Sequence, residues 1–129
     1  PAEGREHTVV VALAPGNSHC LGARALSHLF EKDGWNAIYL GADMPAGESA
    51  LALEAFQADL VAISVAMSVQ LRSALHLVRT VRTARPDIKV LVGGRIISAV
   101  PELWRKMDAD GSAADAVHAI AVARELVAS

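Results

Sequence analysis

The sequence predicts one doubly wound α/β domain, a parallel five-stranded sheet with helices on both faces. Three observations lead there. Short β-branched runs alternate regularly with longer segments of helical period. Those runs are apolar throughout, as in strands covered on both sides. The 129 residues suit a single core, and a composition 53% hydrophobic but only 4% aromatic matches helices packed on a buried sheet.

Each element has its own signal. Residues 8–14 (TVVVALA) read as the first strand. Leu21, Ala25, Leu26, Leu29 and Phe30 then recur at helical spacing, with Asp33-Gly34 as the stop. Residues 36–40 (NAIYL) form a second strand, closed by Gly41. Residues 48–57 predict a helix with Leu51, Leu53, Ala55 and Phe56 turned inward, and residues 60–65 (LVAISV) a third strand. Residues 69–84 predict a long helix whose apolar face holds Leu71, Leu75, Val78 and Val81, with Leu77 to one side. Its arginines, Arg72, Arg79, Arg82 and Arg85, are expected in solvent, and Pro86 ends it. Residues 88–92 (IKVLV) read as a fourth strand running into Gly93-Gly94. One short helix is expected over 100–106 with Pro101 in its first turn, then a brief strand at 109–112 and a last helix at 114–127. Strict alternation implies right-handed crossovers, and five strands most naturally take the flavodoxin-like order 2-1-3-4-5. Residues 1–6 read as a polar linker and 7–129 as the domain. The start at Pro1 suggests a piece of a longer protein.

Composition narrows the function. A formal net charge of −2 without a basic stripe argues against direct nucleic-acid binding. No apolar run approaches the ~20 residues of a membrane helix, so a cytoplasmic protein without membrane contact is expected. The single cysteine, Cys20, excludes an intrachain disulfide and a thiolate zinc cluster, and reads as a small filler. There is no G-x-S-x-G elbow, dinucleotide fingerprint or P-loop. Ala14-Pro15-Gly16 stands where a phosphoacceptor domain would carry acids, and Asp43 reads as a turn residue before Pro45.

In the 2-1-3-4-5 order, ligands bind where the strand order reverses, at the carboxyl ends of strands one and three. The loop after strand one holds Gly16, Asn17, Ser18, His19 and Gly22. After strand three come Ser64, Val65, Ala66, Met67 and Ser68, and after strand four Gly93-Gly94. His19 taken alone could simply hydrogen-bond at a helix start, and Asn17 could cap that helix. Gly16 and Gly22 could serve only turn and packing. Hydroxyls at Ser64 and Ser68 in an apolar exit need partners, from backbone or from a ligand. His7, His28, His76 and His118 are scattered and read as structural or solvated.

The spacing Asn17-x-His19-x-x-Gly22, then Ser64, then Gly93-Gly94, resembles the cobalamin-binding domain family, whose motif is D-x-H-x-x-G, S-x-L and G-G. The resemblance covers nearly the whole chain, including the late segment 109–116. It implies that the cofactor's dimethylbenzimidazole base leaves cobalt and enters the crevice, and that His19 becomes the lower cobalt ligand. Ser64 would hydrogen-bond the displaced base, with Ser68 and Met67 nearby and Val65 and Met67 packed against base or corrin. Gly93 and Gly94 would leave room for the nucleotide tail, with Gly111, Ser112 and Ala113 flanking its far end. Asn17 replaces the motif's acid and Ala66 its leucine; an amide can orient the ring but cannot raise its basicity as a charge would.

The details around Pro15-Gly16 and residues 40–45 look most like the sensory domains of light- or redox-responsive transcription regulators. The leading expectation is therefore a cobalamin-binding sensory module, not itself an enzyme. The helical cap and effector domain would lie elsewhere in the parent chain, with homo-oligomerisation left open. Two alternatives stand beside it: a corrinoid carrier domain of a methyltransferase or mutase, and a haem-binding sensor using His19.

Overall fold

A computed structural model of the chain describes residues 7–13, 21–40, 45–65, 70–100 and 102–128. In order these form β1 (Thr8–Leu13), α1 (Leu21–Lys32), β2 (Asn36–Tyr39), α2 (Ala46–Ala55), β3 (Leu60–Ser64) and α3 (Leu71–Ala84). Then come β4 (Lys89–Gly93), α4 (Arg95–Ala99), α5 (Leu103–Lys106), β5 (Gly111–Ala113) and α6 (Ala116–Ala128). The strands pair in parallel in the order β2-β1-β3-β4-β5, as the alternation of elements predicts.

Alternating side chains divide the sheet into two cores. Val10, Ala12, Val61, Ile63, Val90 and Val92 face α2, α3 and the α4–α5 segment. Val9, Val11, Leu13, Leu60, Ala62, Leu91 and Ala113 face α1 and α6. Burying each of the larger aliphatic side chains contributes about 1.5–3 kcal/mol. The stop after α1 is a Schellman turn: Trp35 N–H donates to Phe30 O and Gly34 N–H to Glu31 O. Gly34 takes φ +95, a left-handed conformation that favours glycine.

Three expectations change. First, α2 buries Ser49, Ala50 and Leu53, while Leu51 is 70% and Phe56 47% exposed and Ala55 is also exposed. This helix is apolar on nearly every side, so its period could not select the inward face. Second, α3 buries Ala74, Leu77, Val78 and Val81, leaving Leu71 and Leu75 partly buried. Arg82 and Arg85 do not point to solvent. Arg82 donates to Ile88 O (2.6 Å) and Asp108 O (3.0 Å) and pairs with Asp110 Oδ2 (2.7 Å). Arg85 donates to Leu53 O (3.3 Å) and Ala58 O (3.1 Å). Both sit in or just beyond the last turn, beside carbonyls at the ends of neighbouring elements, to which the guanidinium groups donate.

Third, the single helix expected at 100–106 is two short helices, α4 and α5. Val100 ends α4 at φ −129, ψ 85. The residue before a proline is kept out of the helical basin by the ring, so the chain breaks there. Elsewhere the observed ends fall within about two residues of the expected ones.

Candidate functional site

Strand register builds the site. Leu13 pairs with Ser64, Ser64 with Gly93, and Gly93 with Ala113. These four positions form one row across the carboxyl ends of β1, β3, β4 and β5. Leu13 and Ala113 belong to the α1/α6 core, and alternation turns Ser64 and Gly93 to the same side. One layer deeper the same face carries Val11, Ala62, Leu91 and Gly111, again in register. From β3 to β5 the row shrinks to a hydroxyl, a hydrogen and a methyl.

The space this leaves is a cavity of about 270 Å³ between the sheet, α1 and α6. Ser64, Gly93, Gly94 and Ala113 line it, with Ala62 and Leu91 below, Leu26 from α1, and Ala116 and Ala119 from α6. Ala114 and Asp115 form its rim. The Ser64 hydroxyl makes no hydrogen bond among the described residues, although its strand is otherwise buried.

Gly94 is a necessity of backbone packing. It takes φ +115, and a Cβ there would collide with the Val65 carbonyl, 2.8 Å from its carbon and 2.9 Å from the Val65 nitrogen. A Cβ on Gly93 would be 3.4 Å from Ala113 O, an ordinary contact, so the fold does not require glycine there. Gly111 works at a distance: its missing side chain lets Val122 and Leu126 of α6 close on β5, with Val122 Cγ1 3.1 Å from the Cβ position.

Two devices hold the far wall. Asp110 Oδ2 accepts the Val90 N–H (2.7 Å) and Arg82, which aligns β5 beside β4. Asp115 Oδ1 accepts the His118 N–H (2.7 Å), while His118 Nδ1 accepts the Ala114 N–H (3.1 Å). This is a reciprocal cap on α6, with histidine in the place usual for glutamate. His118, read from the sequence as structural or solvated, therefore braces the cavity rim.

The structure brings Ser64, Gly93, Gly94 and Ala113 together. It places Val65 in the opposite core, behind Gly94, and Gly111 under α6. Ser112 pairs with Val92 and points to the α2/α3 side, away from the cavity. Gly22 is the second residue of α1. Gly16, Asn17, Ser18, His19, Cys20, Asp43, Ala66, Met67 and Ser68 lie outside the described residues. Leu26, Ala62, Leu91 and Ala119 were not expected at the site. A period-two reading back from Ser64 and Gly93 signals Ala62 and Leu91; the two helix residues have no comparable signal.

A second hollow, about 340 Å³, lies at the opposite edge of the sheet among His7, Asp33, Trp35 and Arg124. Its charges satisfy each other. Arg124 Nε and Nη2 donate to the two carboxylate oxygens of Asp33, and Trp35 Nε1–H donates to Asp33 (3.1 Å). The Arg124 hydrogen bond, more than burial opposes it, holds the Asp33 carboxyl below its ordinary pKa. Among the described residues no group of three or more His, Cys, Asp or Glu could hold a metal, and no helix is long and apolar enough to cross a membrane.

The model of the B12 binding domain matches residues 7–121. The chain belongs to that family. A dimethylamine corrinoid protein of Methanosarcina barkeri is 28% identical over 131 residues, which cover 98% of this chain and 60% of the relative. The chain thus spans about three-fifths of that relative's length. A cobalamin-binding protein from Desulfitobacterium hafniense DCB-2 superposes with a TM-score of 0.86 at 20% identity, over 95% of this chain and 60% of that one. The monomethylamine corrinoid protein of M. barkeri does so with a TM-score of 0.80 at 22% identity, over 92% and 57%. These two share the fold. None of the three is a sensory regulator or a haem protein by name.

The lining of the cavity is compatible with part of an organic cofactor such as the family's. The cavity is a slot at the carboxyl edge, floored by a glycine and small side chains, with one free hydroxyl on its wall.

Proposed function

We propose that this chain binds a cobalamin-type corrinoid and carries it as the corrinoid-binding part of a methyltransferase system. The observation behind the reading is the register row Ser64–Gly93–Ala113 opening on the cavity. The similarity to a dimethylamine corrinoid protein supports a carrier over a sensor. When bound, the cofactor supplies a cobalt that accepts and releases a methyl group.

The chain's own residues would do the rest. The Ser64 hydroxyl would donate to a ring nitrogen of the cofactor's lower base, offsetting the desolvation of both groups. Gly93 would leave the tail its path, and Ala62 and Leu91 would exclude water beneath it. His19, at the histidine position of the family motif, would hold the cobalt. Asn17, where the family motif has an acid, would leave that imidazole less electron-donating than a carboxylate partner would.

Titration of the chain with hydroxocobalamin, followed by its visible spectrum, tests the cofactor. A saturable complex is expected, and its absence overturns the reading. His19→Ala should change the spectrum of the complex; an identical spectrum removes His19 as ligand. After a chemical reductant brings the loaded cobalt from Co(III) to Co(I), a methylamine:corrinoid methyltransferase supplied with its substrate should methylate the loaded chain. No methylation by any such enzyme, together with a response of the loaded chain to light, would return the role to a sensor.

A further inference from the structure

We infer that the cavity selects among corrinoids by their lower base, favouring a methylated benzimidazole over a purine. The inference rests on the cofactor reading above and concerns what the inner wall can hydrogen-bond. Below Ser64 and Gly93 the wall is Ala62, Leu91, Leu26 and Ala119, all aliphatic. Ala62, Leu91 and Ala119 are at most 4% exposed. Ala62 and Leu91 are register partners in the middle of the sheet, so their backbone groups are committed to the ladder. The Ala119 N–H already donates to Asp115 O (2.9 Å). Asp115 stands at the rim, above this inner wall, where its Oδ1 accepts the His118 N–H. That leaves the Ser64 hydroxyl as the side-chain donor on the described inner wall.

The two classes of base make different demands on such a wall. With one ring nitrogen bonded to the ribose, dimethylbenzimidazole presents one free ring nitrogen and two methyl groups. One hydroxyl and an aliphatic floor satisfy all of it. Adenine presents additional ring nitrogens and an exocyclic amino group, which would lose water and meet carbon. A buried polar group without a partner is penalised far more than a satisfied one is rewarded. Ala62, Leu91 and Ala119 are thus the specificity-determining residues, and Ser64 is common to both bases.

Titrating the chain in parallel with cobalamin and with its adenine-containing analogue, read by visible absorbance, tests this. Cobalamin should bind at least about tenfold more tightly, the effect of one unpaired buried group. Ala119→Ser and Ala62→Ser each place a hydroxyl on the inner wall, and each should narrow the ratio severalfold with unchanged circular dichroism. Comparing ratios between variants cancels the two corrinoids' different tendencies to release their base in solution. Equal binding by the wild-type chain, or preference for the purine, overturns the inference and leaves the cofactor reading standing. A ratio unmoved in both folded serine variants removes these residues as its source. Binding of neither corrinoid overturns both.

Discussion

The two faces of one sheet are built from adjacent residues of the same strands, yet one is filled and the other hollow. Toward α2 and α3 the carboxyl ends of β3 and β4 present Ile63 and Val92, which lock into a closed core. One residue later the same strands turn Ser64 and Gly93 toward α1 and α6, and the cavity begins. Strand geometry is common to both sides, so side-chain volume makes the difference. The filled face supplies stability; the hollow face gives some up for space. A ligand slot in this architecture is therefore a local loss of packing held open by what surrounds it: the Gly94–Val65 contact, the Asp110–Arg82 clasp and the α6 cap.

Substitutions that break or sharpen this contrast have graded effects. The largest is expected from Gly94→Ala, which sets a Cβ against the Val65 carbonyl at a left-handed φ. Strain plus overpacking should lower stability by about 4 kcal/mol, measured by urea unfolding. Leu77→Ala removes a fully buried side chain from the filled face and should cost about 3 kcal/mol. Whatever remains folded should still take up cobalamin, since Leu77 does not line the cavity.

Gly93→Val reverses that pattern. Its Cβ meets only Ala113 O at 3.4 Å, and its methyl groups project into the cavity. Stability should change by less than about 1 kcal/mol, while corrinoid uptake, read by absorbance after desalting, should be lost. Uptake equal to wild type would show that the tail lies elsewhere.

The smallest effect belongs to the opposite edge, where Arg124 lowers the Asp33 pKa. A carboxylate whose folded pKa is depressed stabilises fully above its unfolded value, and the benefit fades as pH falls through the folded one. Asp33→Asn should therefore be slightly less stable than wild type at neutral pH, and the gap should close on acidification below the ordinary carboxylate range. Thermal unfolding at stepped pH reads this; a gap that widens in acid would contradict the pairing. Cofactor binding should not respond.

Much of this was legible in the chain. The β-branched and apolar runs located the first four strands, the regular alternation of elements suggested the fifth, and Asp33-Gly34 marked the end of α1. Ser64, Gly93, Gly94 and Ala113, candidates from their spacing and order in the chain, line one cavity. Other assignments failed for definable reasons. An apolar helix such as α2 carries no periodic signal for its inward face, so Leu51 and Phe56 were turned the wrong way. Arg82 and Arg85 looked like solvent charges because the carbonyls they satisfy are remote in sequence or beyond the helix end. Ser112 was grouped with its neighbours, but period-two alternation sends it to the other face.

By itself the sequence determined the order of elements, and with it a parallel sheet whose carboxyl edge opens where the strand order reverses. That follows from local periodicity and from the handedness of crossovers, both readable along the chain. Only the tertiary structure decided that Ser64, Gly93 and Ala113 share a row, because register is set between strands. It also decided that the space above them stays open, since Leu26 and Ala119 arrive from helices on either side. A cavity is bounded by residues remote from one another in the chain, and packing alone brings its walls together.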